Sequence, residues 1–433
     1  MKTATQKRAS VHTLGCRLNQ SETTLLEAQL KAEGYALVPF GDPADLAIVN
    51  TCTVTHAADA KSRKLVRRFI SQNPDAYTAV IGCYAQMGAE ALAAIDGVDL
   101  ILGNQEKLNV LSYVKAGKNP TPLVVRDRIV RDDFTIEFAD EAAPLDWRMN
   151  LKVQDGCDFM CAFCIIPFAR GRSRSRALEN ILDEARNLLG RGACELVLTG
   201  VNIGTYQLDG RGIVEVVDAL AELDGLERLR ISSIEPTTIP DALFDRMADA
   251  AHPLVPYLHI PLQSGSDRVL QAMKRRYTRR EFLDFIFEAH ARVPDIGIGT
   301  DILVGFPGET DADFEDTCAA LRDSPLFYAH VFKYSEREGT ASARMADPID
   351  PDTANERSAI LRKISADKTR LFQQHHLGRE VEVLFECRQD GFWTGYTPGF
   401  LRVAARDAGY LKNVTRTVRV ESIRGDLVVG TIV

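Results

Sequence analysis

Short apolar runs alternate with helix-like stretches over the first hundred residues. Val11–Leu14 precedes Ser21–Glu33, Leu46–Val49 precedes Ala57–Ser71, and Thr78–Ile81 precedes Gln86–Ile95. The helices are predicted from spacing, as in Leu25, Leu26, Gln29 and Leu30 on one face, and the strands from short aliphatic runs ending in Gly, Asn or Thr. A β-α-β-α rhythm of this kind predicts an open parallel sheet with helices on both sides, over 1–117. From about Lys118 to Trp147 the rhythm fails. Prolines, the mixed charges of Arg126 to Asp133 and the loop-like Ala139–Pro144 predict a linker over 118–147.

Alternation resumes with another cadence over 148–374. Candidate strands are Leu151–Gln154, Leu196–Thr199, Leu229–Ser232, Tyr257–Ile260, Gly297–Val304 and Ala329–Phe332. Amphipathic segments separate them, among them Ala177–Leu189, Arg279–Arg292 and Asp311–Arg322. Six successive βα units predict a full or partial (β/α)6 barrel whose working face is the C-terminal end of its strands. A helix over Asp352–Gln374 closes this part. Over 375–433 the texture changes to short strands (Glu380–Glu386, Phe392–Thr397, Leu401–Ala404, Val414–Val420, Leu427–Val433), which predict a small all-β barrel.

Length and charge narrow the classes. A chain of 433 residues that is 45% hydrophobic fills more than one core. Acidic residues number 60 against 52 basic, a formal charge of −8, so a nucleic-acid partner held by overall positive charge is excluded and any such contact must use local patches. No run of 18 apolar residues occurs, and Met1 to Ser10 lead into no hydrophobic stretch of the secretory kind, so a cytoplasmic protein without a membrane partner is expected. Nine cysteines in such a chain speak for metal or redox chemistry over a disulfide framework.

Six of those cysteines fall into two trios. Cys157, Cys161 and Cys164 form C-x3-C-x2-C directly after a predicted strand. Three thiols in so short a loop wrap one soft metal centre. Zinc is one reading, but a structural zinc site is normally closed by four protein ligands and no fourth Cys or His lies nearby. An iron–sulfur cluster held by three cysteines leaves one iron open to a small molecule, and this reading is favoured. The second trio, Cys16, Cys52 and Cys83, is spaced by 36 and 31 residues, near one βα repeat each. Each member stands just beyond a predicted strand. In a parallel sheet those ends share the ligand-binding edge, so the three thiols are expected to meet in space; three unrelated buried thiols are the alternative. Cys194, Cys318 and Cys387 show no such pattern and are read as packing residues.

With both trios and the β-rich tail in this order, the chain resembles the radical S-adenosylmethionine (SAM) methylthiotransferases that modify tRNA. The motif of Cys157, Cys161 and Cys164 is similar to the radical SAM signature, which implies a [4Fe-4S] cluster whose fourth iron binds S-adenosylmethionine. The words around Cys16, Cys52 and Cys83 resemble the ligands of an auxiliary [4Fe-4S] cluster, and the tail resembles a TRAM domain, an RNA-binding barrel. Cys16-Arg17-Leu18-Asn19-Gln20, Asn50-Thr51-Cys52-Thr53-Val54-Thr55, Lys61-Ser62-Arg63 and Cys164-Ile165-Ile166-Pro167 resemble the branch acting on N6-threonylcarbamoyladenosine.

The resemblance implies insertion of a methylthio group at C2 of that base at position 37 of tRNA. Two molecules of cofactor are consumed per turnover, and a low-potential electron donor is required. A monomer is expected. Isopentenyladenosine in tRNA or a ribosomal protein as substrate, and a non-catalytic iron–sulfur RNA sensor, are the competing readings. Polar groups at strand ends make the expected cofactor cradle: Thr199, Gly200 and Asn202, then Ser233 and Glu235, then Gln263 and Asp301. Phe163 either stacks on the adenine or fills the barrel top. No catalytic acid or base is assigned. Two basic runs are the expected RNA contacts: Arg170, Arg172 and Arg174, with Arg176 beyond them, and Lys274, Arg275 and Arg276, with Arg279 and Arg280. Phe392, Trp393, Tyr396 and Phe400 are shared between base stacking and the tail's own core.

Overall fold

The computed structural model describes residues 6–115, 117–138 and 148–433. The N-terminal sheet is entirely parallel. Its six strands lie in the order Ala36–Leu37, Arg8–Thr13, Leu46–Thr51, Tyr77–Gly82, Leu100–Leu102, Leu123–Val125. Every residue of Leu46–Thr51 and Tyr77–Gly82 is buried, as expected of central strands covered on both faces. Separate apolar clusters fill the two faces, one around Leu26, Leu30 and Ile48, the other around Val49, Val66 and Leu92.

One expectation needs correction. The sixth strand, Leu123–Val125, falls within the span read as a linker and pairs with Leu100–Leu102. Further along, Phe134 bridges to Arg176. Three residues are too short a run to show alternation, and the flanking prolines masked it. The loop-like Ala139–Pro144 lies outside the described residues.

The central region holds six parallel strands as two three-stranded sheets. Arg148–Lys152, Glu195–Thr199 and Arg228–Ile231 form one; Tyr257–His259, Gly297–Val304 and Tyr328–Lys333 form the other. A bridge between Leu229 and Leu254 and a bond from the Ile234 N–H to the His259 carbonyl at 3.3 Å join them into one arc. Leu151, Leu196, Leu229, Leu258 and Ile302 point outward into the large core shared with the helices. Their alternate neighbours, such as Lys152, Arg230, His259 and Asp301, face the barrel interior. The first and last strands do not pair with each other.

That open side is covered by the N-terminal unit. Helix Arg17–Ala32 packs on Arg148–Lys152. Beyond the last strand, Arg337 donates to Asp59 Oδ2 and to the Thr53 hydroxyl, both at 2.7 Å, and the His56 N–H bonds the Ser335 hydroxyl at 3.0 Å. The helix Pro351–His375, started by Asp350 and Pro351, lies against Tyr328–Lys333, where the Ser365 hydroxyl meets the Ala329 backbone.

The tail is a closed barrel of five strands, Glu380–Gln389, Phe392–Tyr396, Arg402–Ala405, Leu427–Ile432 and Val414–Arg424 in ring order, around Val383, Phe385, Trp393, Val403 and Val418. Arg228 and Arg230 reach out of the central strands and donate to the carbonyls of Tyr396 and Pro398, both at 2.9 Å. Phe400 stacks near Tyr396 and Tyr257, with ring centroids 4.7 and 4.6 Å away. Tyr396 and Phe400 therefore dock the tail onto the central region, and Trp393 is buried in the tail's core, which removes these three from the expected base-stacking set. Phe392 remains half-buried beneath Arg406 and Arg424.

Candidate iron–sulfur site

Cys16, Cys52 and Cys83 follow the C-terminal ends of three adjacent strands, at the switch point where the chain leaves Arg8–Thr13 first for one neighbour and then for the other. Glycine makes the approach possible. Gly15 has φ +106°, and a Cβ there would stand 2.8 Å from the Cβ of Cys52. Gly82, at φ +96°, lies as close to the Asn50 side chain. Asn19 ties the loops together by donating to the carbonyls of Leu14 and Thr51 at 2.7 and 3.0 Å. The Asn104 amide meets Cys83 Sγ at 3.5 Å.

The second trio is built by one loop. Gly156 opens it at φ +72°; a Cβ there would lie 1.9 Å from the Arg172 carbonyl oxygen, so only glycine fits. Met160 also takes a left-handed conformation, φ +51°. Sulfurs are met by N–H donors: Phe159 N–H to Cys157 at 3.5 Å and Arg275 Nη1 to Cys161 at 3.3 Å. Burial pushes the Cys164 thiol up to about 12, and those of Cys157 and Cys52 to about 11. Metal binding offsets such a cost by stabilising the thiolate. Among the described residues no three His, Cys, Asp or Glu side chains converge as ligands of a single ion. Three thiols in each set match the donor chemistry of an iron–sulfur cluster, whose thiolates bind different irons.

Arg170 lies between the trios. It ends the short helix Ile166–Arg170 after Cys164, and it donates to Glu22 Oε1 and Asp155 Oδ1, each at 3.0 Å, and to Asn19. Lys107 and Lys152 also pair with Glu22, and Lys152 and Arg174 with Asp155. Burial would raise the Glu22 carboxyl, but Arg170, Lys107 and Lys152 hold it well below the usual carboxylate range. Four cations around two carboxylates leave a positive excess facing Cys16 and Cys83, and a thiolate cage complements it.

This geometry corrects the RNA expectation. Arg170 is 1% exposed, and Arg174 and Arg176 are buried on Asp155 and Glu184. Arg275 is buried between Cys161, Glu235 and Tyr277. None of the four is free to meet a phosphate, because each carries a buried acidic partner. Arg172, Lys274, Arg276 and Arg280 remain at the surface. Arg276 stacks 4.2 Å over Phe159 in the cluster loop.

The expected cofactor residues gather at neighbouring strand ends, with unequal freedom. The Thr199 hydroxyl bonds the Val197 carbonyl, and Asn202 Oδ1 accepts from the Glu235 N–H and the Thr238 hydroxyl, so both shape the rim. The Asn202 amide is a buried donor without an acceptor. Gly200 sits against Gln154, where a side chain would collide. Glu235 is paired to Arg275, Asp301 accepts from His259 at 3.0 Å, and Gln263 is held at φ +68°. Ser233 is half-buried. Phe163 packs beside Ala162, Val269, Met273 and Phe306. Sequence reasoning missed Gln154, fully buried, whose Oε1 accepts the Val201 and Asn202 N–H groups at 2.8 and 3.0 Å and so sets the rim loop. Its place at the end of the first barrel strand was the available clue.

A partial (β/α)6 barrel with C-x3-C-x2-C after its first strand defines a radical SAM protein, and the Radical SAM superfamily profile matches residues 151–321. The profile described as Uncharacterized protein family UPF0004 matches residues 8–103. The chain is 36% identical over 407 residues (90% of this chain, 89% of the relative) to the threonylcarbamoyladenosine tRNA methylthiotransferase MtaB of Bacillus subtilis. A relative of the same name from Aquifex aeolicus is 34% identical over 87% of this chain and 92% of its own. A tRNA-2-methylthio-N(6)-dimethylallyladenosine synthase of Cereibacter sphaeroides is 36% identical over 88% of this chain and 87% of its own. Among solved structures, the radical SAM methyltransferase TsrM of Kitasatospora setae shares the fold at TM-score 0.53 and 15% identity, covering 76% of this chain and 75% of that one. The chain belongs to the radical SAM tRNA methylthiotransferase family.

Proposed function

We propose that this enzyme inserts a methylthio group at C2 of N6-threonylcarbamoyladenosine at position 37 of tRNA. The observation that carries the reading is the seam on which both trios lie, joined through Arg170, in a chain whose relatives at 34–36% identity bear that name. Cys157, Cys161 and Cys164 hold the cluster that binds S-adenosylmethionine, and Cys16, Cys52 and Cys83 hold the auxiliary one. When bound, the two clusters supply the electron for cofactor cleavage and a carrier for sulfur.

The protein's own residues position and shield. Arg275 donates to the Cys161 sulfur and neutralises Glu235 beside it. Gln154 and Asn202 fix the rim, where Gly200, Ser233, Gln263 and Asp301 border the cofactor. The N-terminal unit closes the barrel's open side and excludes water from a reactive radical. Arg172, Lys274 and Arg276 flank the cluster loop for phosphate contact. The five-stranded tail is a TRAM domain that grips the RNA.

The test is nucleoside mass spectrometry on tRNA treated with the reconstituted holoenzyme, S-adenosylmethionine and a reductant. Conversion of N6-threonylcarbamoyladenosine to its 2-methylthio form is expected. Because the Cereibacter relative is equally similar, isopentenyladenosine is the second reading; its conversion with the threonylcarbamoyl base untouched would replace the first.

A further inference from the structure

Arg17 follows Cys16 directly and opens the helix Arg17–Ala32, which packs against the barrel strands Arg148–Lys152 and Glu195–Thr199. Its side chain is half-buried and has no acceptor or carboxylate partner among the described residues. The groups whose charges reach it are Arg148, Tyr257, Arg230 and Glu195, and Tyr328 and His330 lie within the same range. Arg230 is fully buried; it bonds Glu195 Oε1 through Nε at 2.6 Å and the Pro398 carbonyl through Nη1, yet its Nη2 has no acceptor. Arg148 pairs with Glu386 through Nη2 at 3.1 Å, and its Nη1 is likewise buried without an acceptor. A buried donor left unmet carries its full desolvation penalty, so such donors mark a place where a ligand can supply the acceptor. Arg148 is matched by Glu386 and Arg230 by Glu195, and both also stack on Phe400, so Arg17 is the guanidinium left without a carboxylate among the described residues. With the two unmet donors it forms a recess of positive charge on the inner face of the barrel, and Arg17 itself adjoins Cys16 of the auxiliary trio.

We propose that this recess binds the carboxylate of the substrate base, with Arg17 as its principal contact to the threonyl carboxylate of N6-threonylcarbamoyladenosine. The inference rests on the substrate reading above and deepens it. A threonylcarbamoyl group ends in a carboxylate, which pairs with a guanidinium fork. An isopentenyl group ends in hydrocarbon and would leave the same donors unpaired. The methionine carboxylate of S-adenosylmethionine has the same chemistry, so the experiment must separate the two sources.

The reconstituted holoenzyme is titrated, by fluorescence anisotropy, with two anticodon stem-loop RNAs that differ only at position 37, one carrying N6-threonylcarbamoyladenosine and one adenosine. Wild type is expected to prefer the first. Arg17→Gln is expected to weaken it by about tenfold or more, to the level of the adenosine RNA. Binding of the adenosine RNA, affinity for S-adenosylmethionine and iron content should stay unchanged. Arg17→Lys keeps the charge without the fork and should recover part of the preference. Equal weakening of both RNAs overturns the proposal. Weakened cofactor affinity with RNA preference intact also overturns it, assigning the recess to the cofactor. If wild type converts the isopentenyl RNA and not the threonylcarbamoyl RNA, the substrate reading itself has failed; if wild type converts the latter and Arg17→Gln does so with unchanged KM, only the recess has failed.

Discussion

The two cysteine trios reach similar surroundings by opposite routes. Cys157, Cys161 and Cys164 are delivered by one loop, and the local cost is conformational: Gly156 at positive φ, Met160 in a left-handed well, and a carbonyl where any side chain would collide. Cys16, Cys52 and Cys83 are delivered by topology. Three strands of one sheet must be in register before those thiols meet, with Asn19, Thr51 and Asn104 pinning the loops. A local cage is specified by spacing and a distributed one by fold, so they should fail differently when perturbed.

The sharpest test of that contrast is removal of one ligand from each trio. Cys161→Ala should abolish release of 5′-deoxyadenosine from S-adenosylmethionine under anaerobic reduction. Cys52→Ala should spare part of that release and lose methylthio insertion. Full activity in both variants rejects the assignment of two cages. Next in size, Gly156→Ala and Gly15→Ala should each cost one cage: about four of the roughly eight irons expected per chain, by iron quantification after anaerobic reconstitution. Loss of all iron from Gly15→Ala would show that the cages are not independent. Arg170→Met leaves Glu22 and Asp155 with fewer partners in a buried seam, and should lower stability by about 3 kcal/mol in urea unfolding. The smallest effect is expected at a site remote from both cages: Phe400→Ala should cost about 2 kcal/mol at the tail's docking face and leave iron content unchanged.

The sequence made both trios readable for the same reason that they differ. A three-cysteine loop is visible as spacing, and thiols one βα repeat apart become visible once the rhythm of the sheet is recognised. The six barrel strands were legible because each pairs an aliphatic run with a following amphipathic helix, and Gly297–Val304 was placed to the residue. The arginine runs were misread. Arg170, Arg174, Arg176 and Arg275 look like a solvated basic face; the partners Glu22, Asp155 and Glu235 come from other segments, and Glu184, though only eight residues past Arg176, meets it on a buried helix face that charge spacing alone does not reveal. Gln154 was overlooked for a related reason: its strand-end place was a clue, but its role lies in backbone groups that approach only after folding.

The tail is fastened to the central region by side chains, Glu382 and Glu386 pairing with Arg228 and Arg148 and Phe400 packing on Tyr257, and also by main-chain carbonyls, those of Tyr396 and Pro398 receiving Arg228 and Arg230. A grip on peptide oxygens is indifferent to which side chains stand there. The outer surface of that small barrel, away from these contacts, can thus diverge between lineages while its seating on the enzyme stays constant.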